Sequence, residues 1–187
     1  MDFTKEQLTE MTKEQLIQCI LDLQTPSNKI SQVSDAETTL VTDGLLDIEL
    51  YTDGSSIGNP GPGGAGFVAV SGSEIMEECS QNLGRCTNNF AEYSAVVAAL
   101  EYYYDTVTHS NFKNVIVYTD SMLVVNQVNG VWKVKNKALL DLYSKVVSVK
   151  SDIQKVGKSV TFKHVKAHCG NVYNERADTL ANTAARS

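Results

Sequence analysis

The sequence predicts an α/β fold: one mixed sheet with helices packed on it, carrying a small helical extension at its N-terminal side. Three observations point there. An alternating apolar run, "LLDIELYT" at 45–52, leads through a stretch rich in Gly and Pro to a second apolar run, "AGFVAV" at 65–70. Beyond a third strand, helical and strand periodicities alternate to the C-terminus. The 187 residues, 42% of them apolar, suffice for one full core and are few for two.

The elements follow in chain order. "FTKEQLTEMTKEQLIQCILDLQ" contains Thr-Lys-Glu-Gln-Leu twice, at 4 and at 12. Each copy sets Thr three residues before Gln, a capping box that can start a helix. Leu16, Ile17, Ile20, Leu21 and Leu23 give the second copy an apolar stripe, so residues 1–24 are expected to form a helical extension. It is either an appended helix without separate activity or a module that docks on a protein partner or on nucleic acid. Residues 25–45, rich in Ser, Thr and Asp and without periodicity, read as a linker. The second domain, 46–187, should begin with a strand at 46–52 that has one buried face: Leu46, Ile48 and Leu50 alternate with Asp47, Glu49 and Tyr51. Asn-Pro-Gly-Pro-Gly-Gly then reads as a hairpin turn into a strand at 64–70. A strand at 74–82, a helix at about 89–104, a strand at 114–119, helices at 121–128 and 137–151, a strand at 159–165 and a helix at 173–185 complete the reading.

Net charge is −6, which argues against a nucleic-acid ligand until the chain is divided. Residues 1–47 hold nine acids and three bases, and so carry the whole excess. The remaining 13 acids and 13 bases balance, with Lys133, Lys135, Lys137, Lys145, Lys150, Lys155, Lys158, Lys163 and Lys166 gathered late in the chain. A neutral domain with a basic stretch can hold a phosphate backbone. The acidity of the extension argues against its gripping DNA or RNA. No run of about 18 apolar residues and no charged-then-apolar leader occur, so the expected setting is soluble and cytoplasmic, without a membrane partner. Four cysteines without Cys-x-x-Cys spacing are expected to be reduced thiols. His164, His168 and Cys169 lack a fourth ligand for a zinc site.

Four acids stand in informative places. Asp53 ends the first strand, and Asp120 ends "NVIVYTD" at the equivalent place on what should be a neighbouring strand, so the two should face one crevice. Glu92 falls in the first turn of the helix that opens at "TNNFAE", and Asp178 lies in the last helix, "NERADTLANTAA". Taken singly, Glu92 is a helix-dipole partner and Asp178 a solvated helix acid. Brought together, four carboxylates repel one another unless cations neutralise them. Two Mg²⁺ ions would do so, and such a pair suits in-line phosphodiester hydrolysis.

"YTDGSSIGNPGPGGAG", "TNNFAE", "YTDS" and "HVKAHCGNVYNERADTLA", in this order and spacing, resemble the motifs of type 1 ribonuclease H over roughly residues 46–186. The resemblance implies a five-stranded mixed sheet flanked by helices. It also implies an endonuclease cutting the RNA strand of RNA–DNA hybrids, which leaves 5′-phosphate and 3′-hydroxyl ends. Its cofactor would be two Mg²⁺ ions, with Mn²⁺ as a substitute. By the same resemblance Asp53 bridges both metals, Asp178 completes the water-activating site, and Glu92 and Asp120 hold the second metal. His168, on the loop before the last helix, would aid proton transfer or product release, chemistry suited to a group that titrates near neutrality. His164, inside its strand, reads as structural.

Asn59, Asn88 and Asn89 match positions that contact RNA, where amides can read a 2′-hydroxyl; turn and cap roles are the alternative. Arg85, Thr87 and Asn136 match a phosphate pocket for the DNA strand. Trp132 is either a stacking surface or a packed aromatic. The segment "SMLVVNQVNGVWKVKNKALL" lacks the basic, Trp-rich protrusion of many relatives and resembles the branch without it. Phe90 stands where a basic residue is common. A monomer acting on a hybrid substrate is expected. A domain derived from a reverse transcriptase and a catalytically silent hybrid-binding domain are the competing readings; the complete carboxylate set counts against the second.

Overall fold

The computed structural model describes residues 47–107, 112 and 114–187. The expected helical extension (1–24) and linker (25–45) lie outside the described residues. Five strands form one sheet in the order β3-β2-β1-β4-β5: β1 (Ile48–Ser56), β2 (Gly61–Ser71), β3 (Glu74–Cys86), β4 (Asn114–Thr119) and β5 (Ser159–His164). The first three run antiparallel, while β4 and β5 continue parallel to β1. Four helices flank the sheet: α1 (Asn88–Tyr102, continued by a π-helical turn at Tyr103–Val107), α2 (Met122–Val128), α3 (Lys137–Lys155) and α4 (Val172–Arg186). Among the described residues no helix is long and apolar enough to cross a membrane.

The expected element types and order hold, and the departures have physical causes. As the central strand, β1 is buried on both faces rather than one. Ile48 and Leu50 enter the larger core with Tyr93, Val96 and Leu100 of α1, Val124 of α2, and Leu139, Val146 and Ile153 of α3. Tyr51 points the other way and packs with Val68, Val70 and Ala177 of α4. The ring of Tyr51 therefore filled what alternation alone had marked as a polar face. Ile153 carries the apolar stripe of α3 past residue 151, and Gly157, at φ 80°, follows where the helix stops.

The largest departure concerns the glycines. Only residues 57–60 form the turn, with Gly58 at φ 87°, and β2 begins at Gly61. Gly63, Gly64 and Gly66 are buried strand residues facing helix or neighbouring-strand atoms. A Cβ on Gly64 would overlap the Ala181 carbonyl oxygen and stand 2.5 Å from the Ala185 nitrogen and 2.7 Å from the Ala184 Cβ. One on Gly66 would stand 2.5 Å from the Ala177 carbonyl oxygen. Helix α4 answers with a stripe of its own small residues: Ala177, Ala181, Ala184 and Ala185 are all buried. The Gly-rich stretch exists to let the α4 backbone lie directly on β2. Arg176 fastens the outer side, donating to both carboxylate oxygens of Glu78 on β3 at 2.8 Å each. This pair is partly exposed, so Glu78→Gln should cost no more than about 1 kcal/mol, read as a shift in denaturant midpoint.

Candidate active site

Asp53 does not end its strand. It lies within β1, opposite Gly66 of β2, and β1 continues to Ser56. The crevice nevertheless forms, because β4 is the shorter neighbour: its pairing with β1 stops at Thr52–Thr119, and Asp120 is the next residue. The two acids thus occupy matching steps of parallel strands. Glu92 is the fifth residue of α1, beyond the first turn, so a helix-dipole role is excluded by position. It reaches the same place because α1 crosses close over β1, where a Cβ on Gly54 would overlap the Glu92 backbone nitrogen.

Carboxylate oxygens of Asp53, Glu92 and Asp120 all lie within 4.8 Å of one another. Asp178 of α4 is not one of this close trio but stands near enough to Asp53 to interact with its carboxyl. Asp53 and Glu92 are each only 6% exposed, and the energetic consequence is large. Burial, reinforced by the charges of Asp120 and Asp178, pushes Asp53 up to about 8. Burial and the charges of Asp53 and Asp120 raise Glu92 well above the ordinary carboxylate range. Asp120 is also raised, chiefly by burial. One oxygen of Glu92, Oε2, is buried without a hydrogen-bond partner, whereas Oε1 accepts from Asn88 Nδ2 at 3.3 Å. Crowded, desolvated carboxylates with an unsatisfied oxygen are what a hard divalent cation would relieve. The donor set fits a metal centre, with Asp53, Glu92, Asp120 and Asp178 as the residues able to hold it.

These shifts give a prediction with a definite sign. In the metal-free protein Asp53 holds its proton to about pH 8, while in the unfolded chain it releases it near 3.8. The folded state therefore binds more protons across that window, and its stability falls as pH rises from ~4 to ~8. Melting curves in a chelating buffer should show this decline, and added Mg²⁺ should flatten it by binding only the folded site. A metal-free profile that is flat over the window contradicts the account.

The surrounding polar residues divide into two groups. Near the α1 N-terminus, the Thr87 hydroxyl caps the helix by accepting from the Phe90 amide, and Asn59 accepts from the Asn88 amide at 2.9 Å. Asn59, Asn88 and Asn89 are thereby held around the start of α1, with Asn89 exposed. Arg85 and Thr87 line a shallow cavity with Pro60, Leu83, Phe90 and Ala138. Asn136 caps α3 beside it, accepting from the Ala138 amide at 3.0 Å. Cap chemistry and a solvent-facing position thus coexist at Thr87 and Asn136. Phe90 is half-buried and packs on the main core.

On the other flank residues 129–136 join α2 to α3 without a helix, and Trp132 is 49% exposed. It lines a concavity with Gln127, Val131, Lys133 and Lys135, so it is a surface aromatic, not a core one. His168 is exposed on the loop between β5 and α4 at φ 51°, a left-handed conformation uncommon for a non-glycine residue. Both His168 and His164 stand near enough to Asp120 to temper the rise that its burial causes. His164 is less buried than a strand position suggested: it ends β5, and its Nε2 donates to the Asp120 carbonyl oxygen at 3.2 Å. Two contacts at Asp178 had no counterpart in the sequence reading. Asn182 and, behind it, Ser55 hydrogen-bond toward its carboxylate. The signal was present as spacing, since Asn182 is one helical turn from Asp178 and Ser55 one strand repeat from Asp53.

Comparison with known proteins agrees with this geometry. The RNase H family profile matches residues 46–186. The bifunctional protein Rv2228c of Mycobacterium tuberculosis is 33% identical over 142 residues, which cover 75% of this chain and 38% of that protein. A ribonuclease HI of Halobacterium salinarum is 39% identical over 139 residues, covering 73% of this chain and 63% of that protein. The chain thus spans less than two thirds of the length of these relatives. Among solved structures, LC11-RNase H1 in complex with an RNA/DNA hybrid superposes with a TM-score of 0.66 at 35% identity, covering 74% of this chain and 96% of that one. A family profile over residues 46–186 and a five-stranded mixed sheet that superposes on these solved enzymes settle the affiliation: the chain belongs to the RNase H family, with the type 1 enzymes.

Proposed function

We propose that residues 46–187 form the catalytic domain of an endonuclease that hydrolyses the RNA strand of RNA–DNA hybrids, leaving 5′-phosphate and 3′-hydroxyl ends. One observation carries this reading. Asp53, Glu92 and Asp120 converge within 4.8 Å, with Asp178 against Asp53, in a framework shared with a protein solved on a hybrid. Two Mg²⁺ ions held by the four carboxylates would supply charge neutralisation, an activated water and stabilisation of the leaving oxygen. Asp53, central among the four, would help hold both ions, Asp178 the one that activates water, and Glu92 with Asp120 the one that stabilises the leaving oxygen. His168, exposed beside Asp120, carries protons to or from the site or eases product release.

The protein surface supplies alignment. Asn59, Asn88 and Asn89 read 2′-hydroxyls, which a DNA strand cannot offer. Arg85, Thr87 and Asn136 take a phosphate of the DNA strand at the cavity they border. Trp132, with Lys133 and Lys135 beside it, provides a stacking face for the duplex in a protein without the helical protrusion. The enzyme acts as a monomer, and the acidic segment before residue 46 is dispensable for cleavage.

The deciding experiment compares a labelled RNA–DNA hybrid, double-stranded RNA, and DNA carrying a single ribonucleotide, in Mg²⁺ and in chelator. Cleavage of the hybrid alone, in Mg²⁺ alone, is expected; no cleavage of the hybrid would leave the silent hybrid-binding reading. A second test separates reading from support. Asn89→Ala should raise KM for the hybrid several-fold with kcat nearly unchanged. Asn88→Ala should lower kcat as well, because Asn88 also holds Glu92 Oε1. The double substitution should lose at least tenfold in kcat/KM, or more than about 1.4 kcal/mol. Wild-type binding by the double mutant would remove both residues from the reader set.

A further inference from the structure

Asp178 is only partly buried, unlike Asp53 and Glu92, so contacts on its own side of the site can orient it. The backbone geometry places two candidates. Residues two apart in a strand rise about 6.6 Å and point to one face, and residues four apart in a helix rise about 6 Å on one face. Asp53 and Ser55 of β1 therefore match Asp178 and Asn182 of α4 step for step where the helix lies on the sheet. At the first step the two carboxylates meet. At the second, the Ser55 hydroxyl donates to Asn182 Oδ1 at 2.7 Å. With its oxygen so engaged, the Asn182 amide turns its Nδ2 toward Asp178 and donates to Oδ1 at 2.7 Å. Among the described residues, these two bonds are the ones that the Asn182 side chain and the Ser55 hydroxyl make.

We propose that Ser55 and Asn182 are positioning residues for Asp178: Ser55 fixes the orientation of the Asn182 amide, and Asn182 pins Asp178 Oδ1 so that the second oxygen faces the metal-binding cluster. The inference rests on the catalytic reading given above. It accounts for the polar residues Asp178 and Asn182, one helical turn apart, beside the buried alanines Ala177, Ala181, Ala184 and Ala185. It also assigns the order of dependence, since Ser55 touches Asp178 only through Asn182.

The test uses Asn182→Ala, Ser55→Ala and the double variant of the full chain, with three readouts. The first is the Mg²⁺ concentration at half-maximal thermal stabilisation without substrate, the second kcat and KM for a labelled hybrid, and the third melting temperature in chelator. Asn182→Ala is expected to raise the Mg²⁺ midpoint several-fold and lower kcat about tenfold with KM within twofold. Ser55→Ala should do the same more weakly, and the double variant should be no worse than Asn182→Ala, because both act on one path. A merely structural role would lower the melting temperature in chelator and leave the Mg²⁺ midpoint unchanged. That result, or losses from the two single variants that add, overturns the proposal. Should Asn182→Ala fail to fold, Ser55→Ala alone decides through its Mg²⁺ midpoint. Wild-type protein that binds Mg²⁺ but cleaves no hybrid would instead sink the catalytic reading, and the midpoints would still report on Asp178.

Discussion

Asp53→Asn should abolish practical cleavage while making the metal-free protein more stable. The two effects have one cause. Asp53 is nearly buried, and the charges of Asp120 and Asp178 add to the cost of ionising it. A bound cation would offset that cost, and Asp53 is the residue proposed above to help hold both ions. Asn keeps the shape and can still hydrogen-bond Asp178, but it brings no charge. Loss of a shared ligand should lower the single-turnover rate by roughly a thousandfold or more, about 4 kcal/mol of barrier. Hybrid affinity, which depends on surfaces away from the carboxylates, should change little. In chelator at pH ~8 the variant should melt a few degrees above wild type, since about 1 kcal/mol corresponds to roughly 2–4 °C in a chain of this length. Near-wild-type cleavage by Asp53→Asn would refute the metal assignment, and a lower metal-free melting temperature would refute the electrostatic account.

Gly64→Ala is the largest expected effect that touches no catalytic group. The added Cβ meets backbone atoms of α4 at Ala181 and Ala185, so no side-chain rotation relieves it. Either α4 lifts from β2 or β2 bends, and both are costly in a close-packed interior, on the order of 3 kcal/mol or more. Because α4 carries Asp178, the displacement should also separate Asp178 from Asp53 and reduce kcat in whatever fraction still folds. Denaturant unfolding should show a lower midpoint with an unchanged slope. A midpoint matching wild type would contradict the close approach of α4 to β2 at Gly64. Ala at Gly58 is a useful control, because nothing stands near its Cβ direction and the strain there is only that of a positive φ.

Local pattern determined much of this protein. The apolar periodicities of "KNVIVYT" and "AEYSAVVAALEYYY" specify β4 and α1 by themselves, since a strand or helix with such a face has few other ways to bury it. The four carboxylates were legible because each sits in a motif whose neighbours constrain it, and acids brought so close together call for a cation. What the tertiary structure alone decided is how those elements approach one another. Glycine in "GNPGPGGAG" is compatible with a turn or with a helix laid against a strand. The choice depends on whether atoms from 120 residues away, those of Ala181 and Ala185, fill the space of the absent side chain. The same holds for Tyr51, whose ring closes a second core only because α4 supplies Ala177. It holds again for Glu92, a second-turn residue that enters the site because Gly54 lets α1 come close. Sequence periodicity records which face of an element is apolar; the distance at which two faces meet is set by partners far along the chain, and that distance brought the carboxylates, Ser55 and Asn182 together.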